Sequence, residues 1–156
     1  MLRLIRRAVE HGCREHYDAQ QRQAVYVSYA STLFGEALEP FETIAAELQE
    51  QQGDDDGDGE GEDATIIGFA QLDPASGRLR ALFVDAELQQ RGIGRTLLAE
   101  VEARALKRGC ASINGAMSLN AVPFYQRAGF RPCAGPERLT TAGVHVPIVR
   151  MKKDLR

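Results

Sequence analysis

The stretch Gln89-Gln90-Arg91-Gly92-Ile93-Gly94-Arg95-Thr96 joins an apolar, strand-like segment at residues 79–84 to a long amphipathic helix. A helix N-terminus leaves its first N–H groups without intrahelical partners, and the helix dipole favours negative charge there. Gly92 and Gly94 lack Cβ atoms, so an anionic group such as a phosphate can approach the main chain closely. A strand, a glycine-bearing loop and a helix in that order make an anion site of moderate specificity. A dinucleotide fingerprint would need a third glycine where Leu97 stands, which weighs against a nicotinamide-dependent oxidoreductase.

Downstream of this loop, residues 92–108 read as a helix with Ile93, Leu97, Leu98, Val101 and Ala105 along one stripe. Glu100 and Arg104 stand at i,i+4, Lys107 and Arg108 suit the C-terminal dipole, and Gly109 suits the closing position. A short strand is expected at 110–116, a short helix at 121–128 closed by Gly129, and strands from 130 to 133 and from 144 to 152. Pro147 marks an edge or bulge in the last of these. Upstream, residues 64–72 and 78–84 form a hairpin about the turn Asp73-Pro74-Ala75-Ser76-Gly77. Towards the N-terminus, residues 2–8 read as an edge strand and 9–31 as a weakly patterned helix, with Tyr17, Ala24, Val25, Ser28 and Tyr29 on one face. Gly35 and Pro40 punctuate the chain before a second helix at 41–52 carrying Phe41, Ile44, Ala45 and Leu48 on one side.

Between these front elements and the hairpin, residues 53–63 hold seven acids, four glycines and nothing else. Such a segment cannot bury enough apolar area to offset the entropy of ordering, so a flexible acidic strap is expected. A calcium loop counted from Asp54 places Gly59 correctly but puts Thr65 where the closing glutamate belongs, which argues for a solvated linker and no metal. Without the strap, fifteen acids remain against nineteen Lys+Arg, so the rest of the chain is mildly basic. That balance suits an anionic cofactor and gives no support to nucleic-acid binding, which needs a concentrated basic face. The 156 residues suffice for a single domain, with no apolar run of membrane-spanning length and no signal-peptide pattern. Cys13, Cys110 and Cys133 are odd in number and widely spaced, as expected of reduced thiols in a cytoplasmic protein.

Three stretches together resemble the GNAT superfamily of acyl-CoA-dependent N-acyltransferases. Leu82-Phe83-Val84-Asp85 resembles the strand beside the pantetheine arm, and Gln89 to Gly94 fits the Q/R-x-x-G-x-G/A pyrophosphate loop. Ser118 to Phe130, with Asn120, the Phe124-Tyr125 pair and Gly129-Phe130, resembles the family's later segment. The resemblance covers residues 64–152 and implies an α/β (α+β) fold: a mixed, mostly antiparallel central sheet flanked by helices and splayed at the acyl-CoA site. One domain over 1–156 is expected, with the acidic loop at 53–63. The family usually has a further strand before the hairpin, and the strap stands in its place.

By this resemblance acetyl-CoA is the co-substrate, and Phe83, Val84, Gln89, Arg91, Gly92, Ile93, Gly94, Arg95, Thr96 and Asn120 are its expected contacts. Main-chain N–H groups of the 91–96 loop would bind the pyrophosphate, Arg91 and Arg95 adding charge. The backbones of Phe83 and Val84 would contact the arm, with an N–H near Val84 as oxyanion donor. Tyr125 is the expected general acid for the departing thiolate; the plainer role is packing of its helix. Asn120 either caps that helix or binds the cofactor. Asp85, Glu87, Ser118 and His145 lie near the expected cleft as base candidates without distinction among them, and His11 and His16 read as surface residues. Cys110, after a helix C-terminus, sits where the dipole raises a thiol pKa, so direct transfer is favoured over a covalent intermediate. The expected reaction is acetyl transfer to a primary amine, small or peptidic, by a monomer or homodimer, with no nucleic-acid or membrane partner. A non-catalytic acyl-CoA-binding or interaction module is the alternative. The acidic strap adds the expectation of a preference for cationic acceptors, by steering that salt would screen.

Overall fold

The computed structural model describes residues 1–34, 41–48 and 65–156; the acidic strap, its calcium alternative and the punctuation at Gly35 and Pro40 lie outside the described residues. Two helices lead the chain, α1 (Leu2–Gly12) and α2 (Ala19–Phe34). The strand expected at 2–8 is therefore helix. Leu4, Ile5, Ala8 and Val9 are buried, and a strand would send the adjacent Leu4 and Ile5 to opposite faces. The helix expected across 9–31 is broken by a connection at 13–18. Asp18 and Gln21 then cap α2 reciprocally, each side chain bonding the other's main-chain N–H at 2.8 and 3.1 Å.

β1 (Glu42–Leu48) replaces the helix expected at 41–52. It pairs antiparallel with β2 (Thr65–Asp73), so ladder hydrogen bonds outweigh the helical spacing of Ile44, Ala45 and Leu48. Ile44 is buried, while Thr43, Ala45, Glu47 and Leu48 are exposed. The further strand thus lies before the strap instead of being displaced by it. Glu42 ion-pairs with Arg108 at 2.5 Å, though without the geometry of a hydrogen bond, and reaches Arg104 at 3.9 Å.

The hairpin of β2 and β3 (Arg78–Val84) forms as expected, its turn held by Asp73, whose carboxylate accepts from Ala75 N–H at 2.9 Å. α3 (Ile93–Lys107) crosses over to β4 (Ser112–Ser118), and α4 (Val122–Arg127) leads to β5 (Arg131–Pro132). Buried Leu97, Leu98, Val101 and Ala105 face the sheet from α3, and Arg104 bonds Glu100 at 2.7 Å on the outer side. β6 (Glu137–Thr141), not anticipated, forms a hairpin with β7 (Val144–Asp154) across Ala142-Gly143, both at positive φ. Pro147 sits within the β6–β7 ladder opposite Arg138.

The described strands form one sheet in the order β1-β2-β3-β4-β7-β5, with β6 also on β7. Only the β3–β4 pair is parallel among them. Side chains of the two faces build two cores. Leu72, Leu98, Val101, Ile113, Phe130 and Met151 pack under α3 and α4; Ile5, Val9, Phe69, Ala81, Val146 and Ile148 pack under α1 and α2. None of the described helices is long and apolar enough to cross a membrane.

Candidate functional site

β3 and β4 share a single registered pair, Arg78 with Asn114, and then diverge. Each stays in register with its outer neighbour, β3 with β2 as far as Val84 and β4 with β7 as far as Ser118. The gap between them is therefore an opening in the middle of the sheet. Asp85 N–H is committed to Ile67 O at 2.8 Å, so alternation along the strand turns the peptide groups of Leu82 and Val84 towards the gap and those of Phe83 towards β2, which takes the Phe83 backbone away from the contact expected of it. Val84 O is reached there by Gln89 Nε2 at 3.5 Å.

At the mouth of the gap the loop enters α3. Gln90 and Gly92 both have positive φ, 64° and 84°, and Gly92 is the N-cap of the helix. A side chain at Gly92 would meet nothing within 4 Å, so glycine is needed there for its backbone angle and not for space. The first intrahelical bond is Thr96 N–H to Gly92 O, leaving the N–H groups of Ile93, Gly94 and Arg95 directed out of the helix end.

Two cavities meet at the gap. One, of about 1000 Å³, lies on the α3 and α4 face and is lined by Val84, Gln89, Gly92, Gly94, Arg95 and Asn120 among others. The second, of about 230 Å³, lies on the α1 and α2 face between Tyr17, Tyr29, Arg78, Arg80, Met117 and Leu139. Cys13, Leu82, Phe83, Ser118, Ala121 and Tyr125 line both. Arg91, Ile93 and Thr96 line neither: Arg91 points to solvent, and Thr96 Oγ1 donates back to Gly92 O at 3.2 Å.

Tyr125 is buried, with its ring edge-on to Phe124 and Phe130 at centroid distances of 5.0 and 5.3 Å. Burial pushes its hydroxyl well above the usual phenol range, and the neighbouring Tyr29 hydroxyl adds to the shift. The proton stays on oxygen at neutral pH. Asn120 accepts from Cys13 Sγ at 3.3 Å. Burial pushes the Cys13 thiol up to about 11, against the pull of Arg22. The Tyr17 hydroxyl donates to Pro147 O at 2.6 Å and accepts from Leu119 N–H at 2.9 Å, tying the α1–α2 connection to the segment that carries Asn120.

The base candidates fall apart geometrically. Asp85 accepts from Glu87 N–H at 3.0 Å and pairs with Arg7 at 3.4 Å; Glu87 pairs with the same arginine at 2.5 Å. His145 is exposed on the β6–β7 hairpin, its Nδ1 3.0 Å from Thr140 Oγ1, and His11 and His16 are exposed as well. Of the four candidates only Ser118 lines the cavities. No carboxylate or imidazole lines the smaller cavity among the described residues, and none of these residues gather as metal ligands. Cys110 lies away from both cavities, with Sγ 3.5 Å from Pro74 O.

Sequence reasoning missed Cys13, Arg78 and Arg80 as lining residues. The arginines left a signal, since they flank Leu79 in an otherwise apolar strand. Cys13 left none, being brought to Asn120 from 107 positions away.

A sequence model of the acetyltransferase (GNAT) domain matches residues 13–155. No curated protein matches the chain. The fold is similar to a GCN5-related N-acetyltransferase from Rhodopseudomonas palustris, at 21% identity over 98% of this chain and 86% of that one, TM-score 0.77. It is similar to PaiA N-acetyltransferase from Thermoplasma acidophilum, solved with coenzyme A, at 19% identity over 98% and 89%, TM-score 0.62. It also resembles yncA, a putative acetyltransferase from Salmonella typhimurium solved with acetyl-CoA, at 16% identity over 99% and 86%, TM-score 0.57.

Proposed function

Because the chain belongs to the GNAT acetyltransferases, we propose that it moves an acetyl group from acetyl-CoA to a primary amine by direct transfer, both substrates being bound at once. The observation that carries this reading is the meeting of two cavities, one on each face of the sheet, at the gap beside Tyr125. A cofactor entering on the α3 face and an acceptor entering on the α2 face reach one another only there. The reading takes residues 1–156 as one cytoplasmic domain, a monomer or homodimer; one sheet running from β1 to β7, with α1 and α2 packed on one of its faces, supports the single domain.

The pyrophosphate sits on the open N–H groups of Ile93, Gly94 and Arg95, the Thr96 N–H expected among them being bonded to Gly92 O instead, with Arg91, Arg95 and Gln89 at the loop's rim. The pantetheine arm lies in the gap, where Leu82 and Val84 present main-chain groups and Phe83 a ring. Asn120 bonds the arm from the opposite side. The amine nitrogen attacks the thioester carbonyl carbon, forming the C–N bond. Negative charge gathers on the carbonyl oxygen, facing the Val84 N–H. The C–S bond then breaks, and the thiolate takes the hydroxyl proton of Tyr125. The ammonium proton passes through water and restores the Tyr125 hydroxyl, since no carboxylate or imidazole lines the acceptor cavity among the described residues.

That same lack of a lining base favours a second reading, a domain that binds acyl-CoA without turning it over. Thiol release from acetyl-CoA with a panel of primary amines separates the two. Release that depends on both amine and protein supports transfer; binding heat without release leaves the non-catalytic reading.

A further inference from the structure

Apart from the tyrosines and Cys13, Gln71 carries the only polar side chain that is buried among the described residues, with 7% of its surface exposed. It stands in β2 between Thr43 of β1 and Ala81 of β3, in register with both. Phe69, two residues earlier on the same face, pairs with Phe83 at the gap. Phe69 and Ala81 both pack under α1 and α2, so the Gln71 side chain belongs to that face and lines the smaller cavity. Its Nε2 donates to Thr43 Oγ1 over a long 3.5 Å, and its Oε1 accepts from no group of the protein among the described residues. Only Glu42 Oε1 among them is both shut off from solvent and without a hydrogen bond, so Gln71 Oε1 opens onto the cavity.

A buried amide oxygen without a donor is costly, and an apolar residue would fill this place in the core without that cost. An unmet acceptor on the wall of a cavity points to a donor that arrives with a ligand. The amide can also turn about its last bond, exchanging Oε1 and Nε2. A hydroxyl answers either arrangement because it both donates and accepts, and so does a second amide. Ala81, opposite Gln71, is two residues from Phe83, roughly 7 Å of strand, which roughly six single bonds can span. At about 230 Å³ the cavity suits a short ligand, since sites for drug-sized ones run from roughly 300 Å³.

We propose that Gln71 selects the acceptor: the amine reaches the gap while an uncharged hydroxyl or amide, roughly six bonds behind it, bonds the Gln71 side chain. The acceptor class is therefore a short amino alcohol or amino amide. This rests on reading the site as one of acetyl transfer to an amine. The group recognised is neutral, so the charge of the cavity does not enter.

The test uses the full chain loaded with coenzyme A, titrated calorimetrically with 5-amino-1-pentanol, 5-aminopentanamide and hexylamine. Hexylamine has the shape of the amino alcohol with a methyl in place of the hydroxyl, and all three carry one ammonium. Without a partner for the polar end, hexylamine should bind tightest, because its methyl gives up no hydrogen bond to water. With Gln71 as that partner the order inverts, and at least one polar amine should bind about tenfold tighter than hexylamine. In Gln71→Leu this ratio should fall to one or below, while retained coenzyme A binding shows that the fold is intact. Gln71→Met, unbranched like glutamine, repeats the comparison should the leucine variant not fold. With acetyl-CoA, the variant should raise KM for the polar amine and leave kcat within about twofold, since the bond lies away from the reacting atoms. A merely structural role would lower turnover of all three amines alike. Hexylamine binding as tightly as both polar amines, no heat from either of them, or a ratio unmoved in a folded variant would overturn the proposal while leaving the acetyl-transfer reading in place. Absence of binding heat with coenzyme A itself would remove both.

Discussion

On the α3 face of the sheet the site is built from main chain: the loop through Gly92, the open N–H groups that begin α3, and the unpaired edge of β3 at Leu82 and Val84. On the α1 and α2 face it is built from side chains contributed by α2, β3, β4 and β7, with Tyr29, Arg80, Met117 and Ile148 meeting from four separate elements. Main-chain recognition needs only a backbone path, which a few glycines specify locally. Side-chain recognition needs distant residues brought together, and it is free to vary without disturbing the loop. One half of this site is therefore suited to holding a constant cofactor and the other to choosing an acceptor. Tyr125 stands at their junction and belongs to both.

Removing the Tyr125 hydroxyl is the strongest way to break this division. Tyr125→Phe keeps the ring that packs against Phe124 and Phe130, so the fold should survive. Turnover should fall about a hundredfold, in the range of general-acid contributions. Acetyl-CoA affinity, measured by calorimetry, should stay within about twofold if cofactor binding is a main-chain matter. An equal loss of affinity and turnover would place the hydroxyl in the binding site instead.

The pH profile probes the same junction from the acceptor side. With no carboxylate or imidazole among the described residues that line the smaller cavity, kcat/KM should rise about tenfold per pH unit until the amine's own pKa. Burial holds Tyr125 protonated beyond the usual phenol range, so the acid form persists and no alkaline fall is expected below about pH 10. The check is to compare two amines with separated pKa values. If both profiles break at one common pH near 6 to 7, an enzymatic base is at work and the contrast between the two faces is incomplete.

Main-chain recognition itself is tested by a pair of glycines at the two ends of α3. Gly92 and Gly109 have nearly the same positive φ, 84° and 85°, and a side chain at either meets no atom within 4 Å. Alanine at either position carries the left-handed penalty of about 1–2 kcal/mol. Both variants should lose comparable stability in a thermal melt. Gly92→Ala should also weaken acetyl-CoA binding about tenfold by shifting the loop, whereas Gly109→Ala should leave binding within error.

The same contrast explains what could be read before folding. The hairpin, α3 and the 118–130 segment were legible because each carries its own local pattern, whether turn residues, a 3.6-residue stripe or a closing glycine. The front of the chain was not. Leu2 and Leu4 mimic strand alternation, and only the adjacency of buried Leu4 and Ile5 betrays the helix. Ile44, Ala45 and Leu48 mimic a helix, and only the β2 edge makes the segment a strand. In the site, the 89–94 loop could be read locally, but the engagement of Asp85 and Glu87 by Arg7 joins residues nearly eighty positions apart. The convergence of Cys13 with Asn120 and of Arg78 with Tyr29 likewise exists only in three dimensions.

Cys13 offers the smallest test, because it touches both cavities and also the Asn120 side chain. Its thiol goes from an ordinary 9.0 to about 11 on burial. Below pH 9 the thiol is neutral in both folded and unfolded chains and adds no pH dependence. Between about 9 and 11 the unfolded chain ionises while the folded one does not, so stability falls as pH rises through that window. The loss amounts to at most about 3 kcal/mol, two pKa units at 1.36 kcal/mol each. Tyr17, raised to about 12, adds a similar fall beginning one unit higher. In Cys13→Ala the alkaline drop in Tm should therefore begin near pH 10 instead of pH 9. The variant also leaves Asn120 Oδ1 without its thiol donor, so a small change in acetyl-CoA affinity would mean that the acceptor-side connection orients a cofactor-side contact. Unchanged affinity would mean that this thiol does not couple the two faces.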